Sequence, residues 1–289
     1  MNGSIGRALR WLPPIAVAAT FLILYWPVMT DLVWNWSRDS NYSHAFLVLP
    51  VAAYLAWERR RELASTERHP SFVGFLVIGA SLATLLIGIA GVEFFLMRIS
   101  LIGVMTGMVL FLAGWRWLRI LLFPLAFTLL MIPIPPVLFY QFAFPLQLLS
   151  TRFGVAILDI ARIPVLREGN VIALAHTTLE VTEACSGIRS LLSLFTLAVL
   201  YGYFTTPHRG SRVAIAALSV PIAIVANGLR VAGTGIAAQY IGPAAATGFL
   251  HEFSGWTVFM TSLAMLIAVS TLFGFLTPAP ARTLEATAG

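Results

Sequence analysis

Long apolar runs broken by short arginine-bearing gaps fill this 289-residue chain almost from end to end. About 20 consecutive apolar residues cross the hydrocarbon core of a bilayer as a helix. Runs of that kind predict eight spans: Leu12–Val33, His44–Trp57, Phe72–Gly91, Ile99–Gly114, Leu118–Ile134, Ile188–Phe204, Arg212–Ala238 and Phe253–Thr277. The second run is short, and counts as a span because the charges on its two sides then alternate correctly. The pattern predicts an all-α polytopic membrane protein of about eight transmembrane helices, filling residues 1–277. A small, polar tail, 278–289, is expected to be disordered.

One connection breaks the rhythm. Pro133 to Gly187 is too long for a structureless loop. Its first part mixes apolar residues with Gln141, Gln147, Arg152, Asp159 and Arg162. That mixture predicts amphipathic helices lying in the membrane interface, interrupted at Pro145 and Pro164. Two β-prone runs follow, Val171–Leu174 and Thr178–Thr182, on either side of a polar turn at His176. They predict a small β-hairpin just before the chain's single cysteine, Cys185.

Composition sharpens this reading. The chain is 59% hydrophobic and 10% charged, with mean hydropathy +0.88; soluble domains carry about 25% charged residues. The first apolar run is long for a cleavable leader and has no small-residue cleavage site after it, so none is expected. All 18 basic residues are arginine, giving a net charge of +6. They flank apolar runs instead of forming a basic cluster with exposed aromatics, which argues for topology and against nucleic-acid binding. With the N-terminus inside, Arg7, Arg10, Arg59, Arg60, Arg61, Arg68, Arg116, Arg119, Arg209, Arg212 and Arg282 fall inside, and short outer loops hold only Arg38 and Arg98. Both termini are therefore expected in the cytoplasm. One cysteine excludes an internal disulfide and a Cys-rich metal site; no metal or cofactor is expected.

The remaining polar residues gather at one depth. Cys185 stands at the outer entrance of the sixth span, with Glu183 before it and Arg189 one turn after it. Asn227 and Arg230 lie three apart near the outer end of the seventh, on one helix face. His251 and Glu252 precede the eighth, and His44 lies at the outer end of the second. Each has an ordinary reading: interfacial tips for the histidines, an interhelical hydrogen bond for Asn227, solvated charges for the glutamates and Arg189. Arg230 resists it, because an ionisable group inside an apolar helix is expensive and marks function by default. A thiol, an imidazole and a guanidinium together form a nucleophile, a proton carrier and an anion stabiliser.

The segment ACSGIRS around Cys185, the pattern P-x5-N-x2-R from Pro221 to Arg230, the late histidine before the last span and YSHAF after the first resemble the exosortase/archaeosortase family over about Leu12 to Phe275. Members are polytopic membrane cysteine transpeptidases that act on C-terminal sorting signals of the PEP-CTERM type: a short motif, one transmembrane helix and a basic cluster. The resemblance implies Cys185, Arg230 and His251 as catalytic residues, with Asn227, Glu183, His44 and Arg189 in support. It implies a core enzyme without the extra C-terminal domain of some members, placed in the bacterial inner membrane among lipids, with an active site facing the periplasm and an acceptor of unknown nature. Two other classes compete. A transporter or lipid-handling protein would use Arg230 and Asn227 to bind an anion and would tolerate loss of the thiol. An assembly scaffold would also tolerate loss of Arg230 and His251.

Overall fold

The computed structural model describes residues 2–175, 177–181, 187–242 and 248–276, with backbone alone for 2–15, 248–252 and 273–276. Helices dominate, and the described chain divides into two compact units, Met1–Pro136 and Val137–Gly289. Among the described residues, seven helices are long and apolar enough to cross a membrane and the strands form one small sheet, so the protein is an all-α, multi-pass membrane protein.

The first unit holds α1 (Asn2–Arg38), α2 (Ala45–Glu58), α3 (Arg60–Ser65), α4 (Val73–Ala90), α5 (Phe94–Leu112) and α6 (Trp115–Phe127), which runs on into a 3₁₀ turn, Thr128–Met131. Two of the sequence-predicted spans are the shorter helices α2 and α6, of 14 and 13 residues. α4 and α5 form a hairpin with nearly touching backbones: a Cβ on Gly74 would stand 2.2 Å from Phe111 N, and one on Gly107 2.9 Å from Ile78 N. Lipid gives helices no hydrophobic drive to associate, and small residues supply close packing instead. Arg98, which the arginine count leaves in an outer loop, lies one turn inside α5. Its Nε and Nη2 donate to Oδ2 of Asp31 on α1 at 3.1 and 2.8 Å. Nearby, the Tyr25 and Ser100 hydroxyls share a hydrogen bond of 3.1 Å. Charge and hydroxyl pairs thus tie α1 to α5 where apolar side chains alone would slide.

The second unit holds α7 (Pro136–Ile160), strands β1 (Leu166–Glu168), β2 (Val171–Ala173) and β3 (Thr178–Glu180), then α8 (Ile188–Thr205), α9 (Arg209–Ile241) and α10 (Gly248–Leu276). The sequence predicts a helix break at Pro145, but α7 runs through it. Proline deletes one backbone donor, a cost of about 3 kcal/mol in a helix interior. Packing offsets it: Phe139, Ala143 and Leu146 close on Ile188 and Leu192 of α8. The N-terminal half of α7 exposes Val137, Leu138, Tyr140, Phe142 and Phe144, whereas its C-terminal half exposes Arg152 and Asp159. The break predicted at Pro164 stands: α7 ends at Ile160 and Arg162 takes a left-handed φ of 58°.

The hairpin is present and gains a third strand. β1 pairs antiparallel with β2, Glu168 opposite Val171, across the two-residue turn Gly169-Asn170, and β2 pairs with β3. His176 and Thr182 of the predicted hairpin lie outside the described residues. Ile172 and Leu179 from the sheet, Val181 just after it, Leu158 of α7 and Val231 and Ala238 of α9 belong to one core. α9 has 33 residues, about 50 Å at 1.5 Å per residue, against a hydrocarbon core of about 30 Å. It overhangs the bilayer, and the sheet packs on its C-terminal third. α7 and α9 run in the same sense where they touch, for Phe153 meets Gly228, Gly154 meets Val231 and Leu158 meets Gly235. α8 runs antiparallel to α9, and Leu194, Ala198, Ile215, Ile222 and Leu266 form the core that α8 and α9 share with α10.

Candidate active site

A guanidinium carried by an apolar helix requires partners. On α9, Ala223, Asn227 and Arg230 follow one stripe at helical spacing. Arg230 is half-buried, and its Nε donates to Oγ of Ser254 on α10 at 3.0 Å. The guanidinium also lies beside Gly255, where a Cβ would stand in ordinary contact, 3.5 Å from Arg230 Nη2. Sequence reasoning missed Ser254. The spacing His251-x-x-Ser254, one helical turn, was the signal available.

One turn before Arg230, Asn227 is 1% exposed. It packs on Gly187, the cap of α8. Gly187 has φ of 79°, and a Cβ there would stand 2.7 Å from Cγ and 2.8 Å from Cβ of Asn227. Glycine is therefore required twice, for a left-handed backbone and for lack of space. From this cap the helix starts, with Leu191 N donating to Gly187 O at 2.8 Å. Ile188 turns into the cluster with Phe139, while Arg189 is exposed on the same first turn.

The other end of this loop is anchored too. Val181 O accepts from Gln147 Nε2 of α7 and, at 3.2 Å, from Asn170 Nδ2. Val181 N donates to Asn170 O at 2.9 Å. Gln147, which the sequence suggests only as an interfacial polar group, is thus a fixing point for the chain leaving β3. Cys185 and Glu183 fall between Val181 and Gly187, outside the described residues. His251 lies on α10 one turn before Ser254; its side chain and that of Glu252 are outside the described residues. His44 belongs to the first unit, where it is the half-buried cap residue of α2, its ring 6.3 Å from that of Tyr42.

Along the face of α9 and α10 that carries Arg230 runs a cavity of about 480 Å³. Arg230, Thr234, Ser254, Thr257 and Thr261 bring one cation and four hydroxyls to walls otherwise made by residues such as Leu229, Phe253 and Val258. That size suits a ligand site, and a guanidinium beside hydroxyls suits a carbonyl or oxyanion.

A family model described as transmembrane exosortase matches residues 36–268, most of the chain. No curated protein sequence and no solved structure gives a match.

Proposed function

The chain belongs to the transmembrane exosortase family, and from that premise we propose that it is a membrane-embedded cysteine transpeptidase acting on C-terminal sorting signals of exported proteins. Cys185 is the nucleophile, Arg230 the anion stabiliser and His251 the proton carrier. The observation that carries the reading is the chain of neighbours from Gly187 to Asn227, one turn on to Arg230, and across to Ser254. Gly187 is two residues from Cys185, and Ser254 one turn from His251. The loop that carries Cys185 in the sequence begins after Val181, held by Gln147 and Asn170, and ends at Gly187, which packs on Asn227.

The chemistry follows from these groups. The Cys185 thiol loses its proton to His251, and the thiolate is favoured by Arg230 and by the N-terminus of α8. Sulfur attacks the carbonyl carbon of a substrate peptide bond, and Arg230 donates hydrogen bonds to the oxyanion that forms. The intermediate collapses with cleavage of the C–N bond, His251 protonates the leaving amine, and a thioester remains on Cys185. An acceptor then attacks the thioester and gives its proton to His251, and the thiolate is released. Asn227 and Glu183 support the loop and the charges. Arg189, exposed on α8, and His44 are proposed in substrate contact.

Arginine bias supports an inner-membrane protein with both termini cytoplasmic and the site facing the periplasm. A PEP-CTERM-type signal, with its motif at the membrane surface, would present its peptide bond at the depth where α9 leaves the bilayer. The test is co-expression of each variant with a tagged protein bearing such a signal, followed by its size shift. Cys185→Ala, well expressed, should leave the substrate unprocessed. Full processing by that variant would end the cysteine reading and favour anion transport through the Arg230 cavity.

A further inference from the structure

The first unit contains a cavity of about 690 Å³ among α1, α2, α5 and α6. Its walls are apolar, with Phe21 and Leu22 from α1, Leu49 from α2 and Leu112 from α5. Leu22, Leu49 and Leu112 are exposed, so the cavity opens sideways, towards the space lipid would fill. Among the described residues, one charged side chain lines it. Arg68 sits at one end, its guanidinium 4.9 Å from the centre of the Trp117 ring. Trp117 is itself fixed, its Nε1 donating to Thr66 O at 3.1 Å.

The geometry points to a site for one anionic phospholipid, with acyl chain in the groove and phosphate on Arg68. Two observations select this occupant. The first is depth. Along α6 the lining runs from Trp117 to Thr128, about 16 Å at 1.5 Å per residue, close to half of the roughly 30 Å hydrocarbon core. That is one leaflet. A partner's transmembrane helix would need twice the length and a diameter of about 10 Å. The second is charge. The end that carries Arg68 also carries Arg59, Arg60, Arg61, Arg116 and Arg119, against Glu58, Glu62 and Glu67. One of those arginines is already paired, Arg59 with Glu62 at 2.9 Å, and Glu67 lies 3.4 Å from His69. Arg68 stacks on an aromatic ring with its donor edge open to a phosphate oxygen, a charge-assisted bond. A zwitterionic lipid would bring a second cation to the same basic end.

The site is independent of the cysteine chemistry and is tested without it. The full chain, delipidated in a neutral detergent, is titrated with dioleoylphosphatidylglycerol or dioleoylphosphatidylcholine and followed by native mass spectrometry. One phosphatidylglycerol should be retained per chain in preference to phosphatidylcholine. Arg68→Gln should weaken phosphatidylglycerol by roughly tenfold or more, the effect of one charge-assisted hydrogen bond, and leave phosphatidylcholine unchanged. Ala53→Trp, which fills the groove, should weaken both. Arg68 is exposed, so its variant keeps the fold and decides the matter if Ala53→Trp does not give folded protein. Equal binding of the two lipids, or phosphatidylglycerol binding untouched by Arg68→Gln, overturns the proposal. A second copy seated in the groove, seen as a dimer lost in Ala53→Trp, would overturn it as well.

Discussion

Arg230 reaches from α9 to α10, where its Nε donates to Ser254 Oγ at 3.0 Å. This bond sets the direction in which the guanidinium reaches from α9 to α10. Ser254→Ala should lower kcat/KM of signal processing by roughly threefold to tenfold, the worth of one hydrogen bond. Ser254→Thr, which keeps the hydroxyl, should recover most of it. Arg230→Lys should cost about 10²- to 10³-fold, because an ammonium cannot present the same fork of donors. Wild-type turnover by Arg230→Lys would remove Arg230 from the chemistry.

The pair Arg98–Asp31 has a structural role of a different kind. The Arg98 side chain is 7% exposed and that of Asp31 30%. Removing one partner leaves the other short of its counter-charge in a poorly solvated place. Arg98→Met should destabilise the first unit by up to about 3 kcal/mol, the lower bound for breaking a buried pair, read as a fall in melting temperature in detergent. Asp31→Asn together with Arg98→Met should restore most of that loss. A double variant as unstable as the sum of the singles would mean that the two charges act separately.

Much of this architecture can be read from residue order, and the misses have physical causes. Arg230 stands out because it interrupts an apolar helix, and Asn227 shares its face. Arg98 does not, since it lies close to a helix start and its partner Asp31 is 67 positions away. α7 hides because Pro145 signals a break, while the packing that outweighs it involves Ile188 and Leu192, far along the chain. β1 is only three residues long, and the Gly169-Asn170 turn after it is its clearest mark. Ser254 is not legible in the sequence, because one serine in GFLHEFSGW has no visible reason to meet an arginine on another helix.

The parallel run of α7 and α9 makes a topological prediction. Their C-terminal ends must emerge on one side, opposite the turn before α9. In a Cys185→Ala background, single cysteines at Glu168, Ile241 and His208, all exposed, report this by labelling of spheroplasts with a membrane-impermeant maleimide. Glu168→Cys and Ile241→Cys should label without lysis, and His208→Cys only after it, because Arg209 and Arg212 hold that turn inside. Labels at residues 168 and 241 on opposite sides would contradict the packing of Phe153, Gly154 and Leu158 on α9.

Gly187 and Asn227 should be energetically coupled, and the coupling separates two demands on the glycine. Gly187→Ala places a Cβ 2.7 Å from Asn227 Cγ in a backbone with φ of 79°. The left-handed conformation alone costs an L-residue about 1–2 kcal/mol, and the overlap adds to it. Asn227→Gly removes the three atoms nearest the new methyl, Cγ, Cβ and Nδ2, but not the backbone cost. In a cycle of the two single variants and the double, melting in detergent should therefore give a favourable coupling of about 1 kcal/mol or more, as for residues in direct contact. The backbone share should persist in the double variant. Stability is the proper readout, because Asn227 is itself proposed to serve the site and its loss would lower activity whatever happens at Gly187. Additive effects within about 0.3 kcal/mol would mean that the loop holding Cys185 does not rest on Asn227, and the link from that loop to Arg230 would be lost with it.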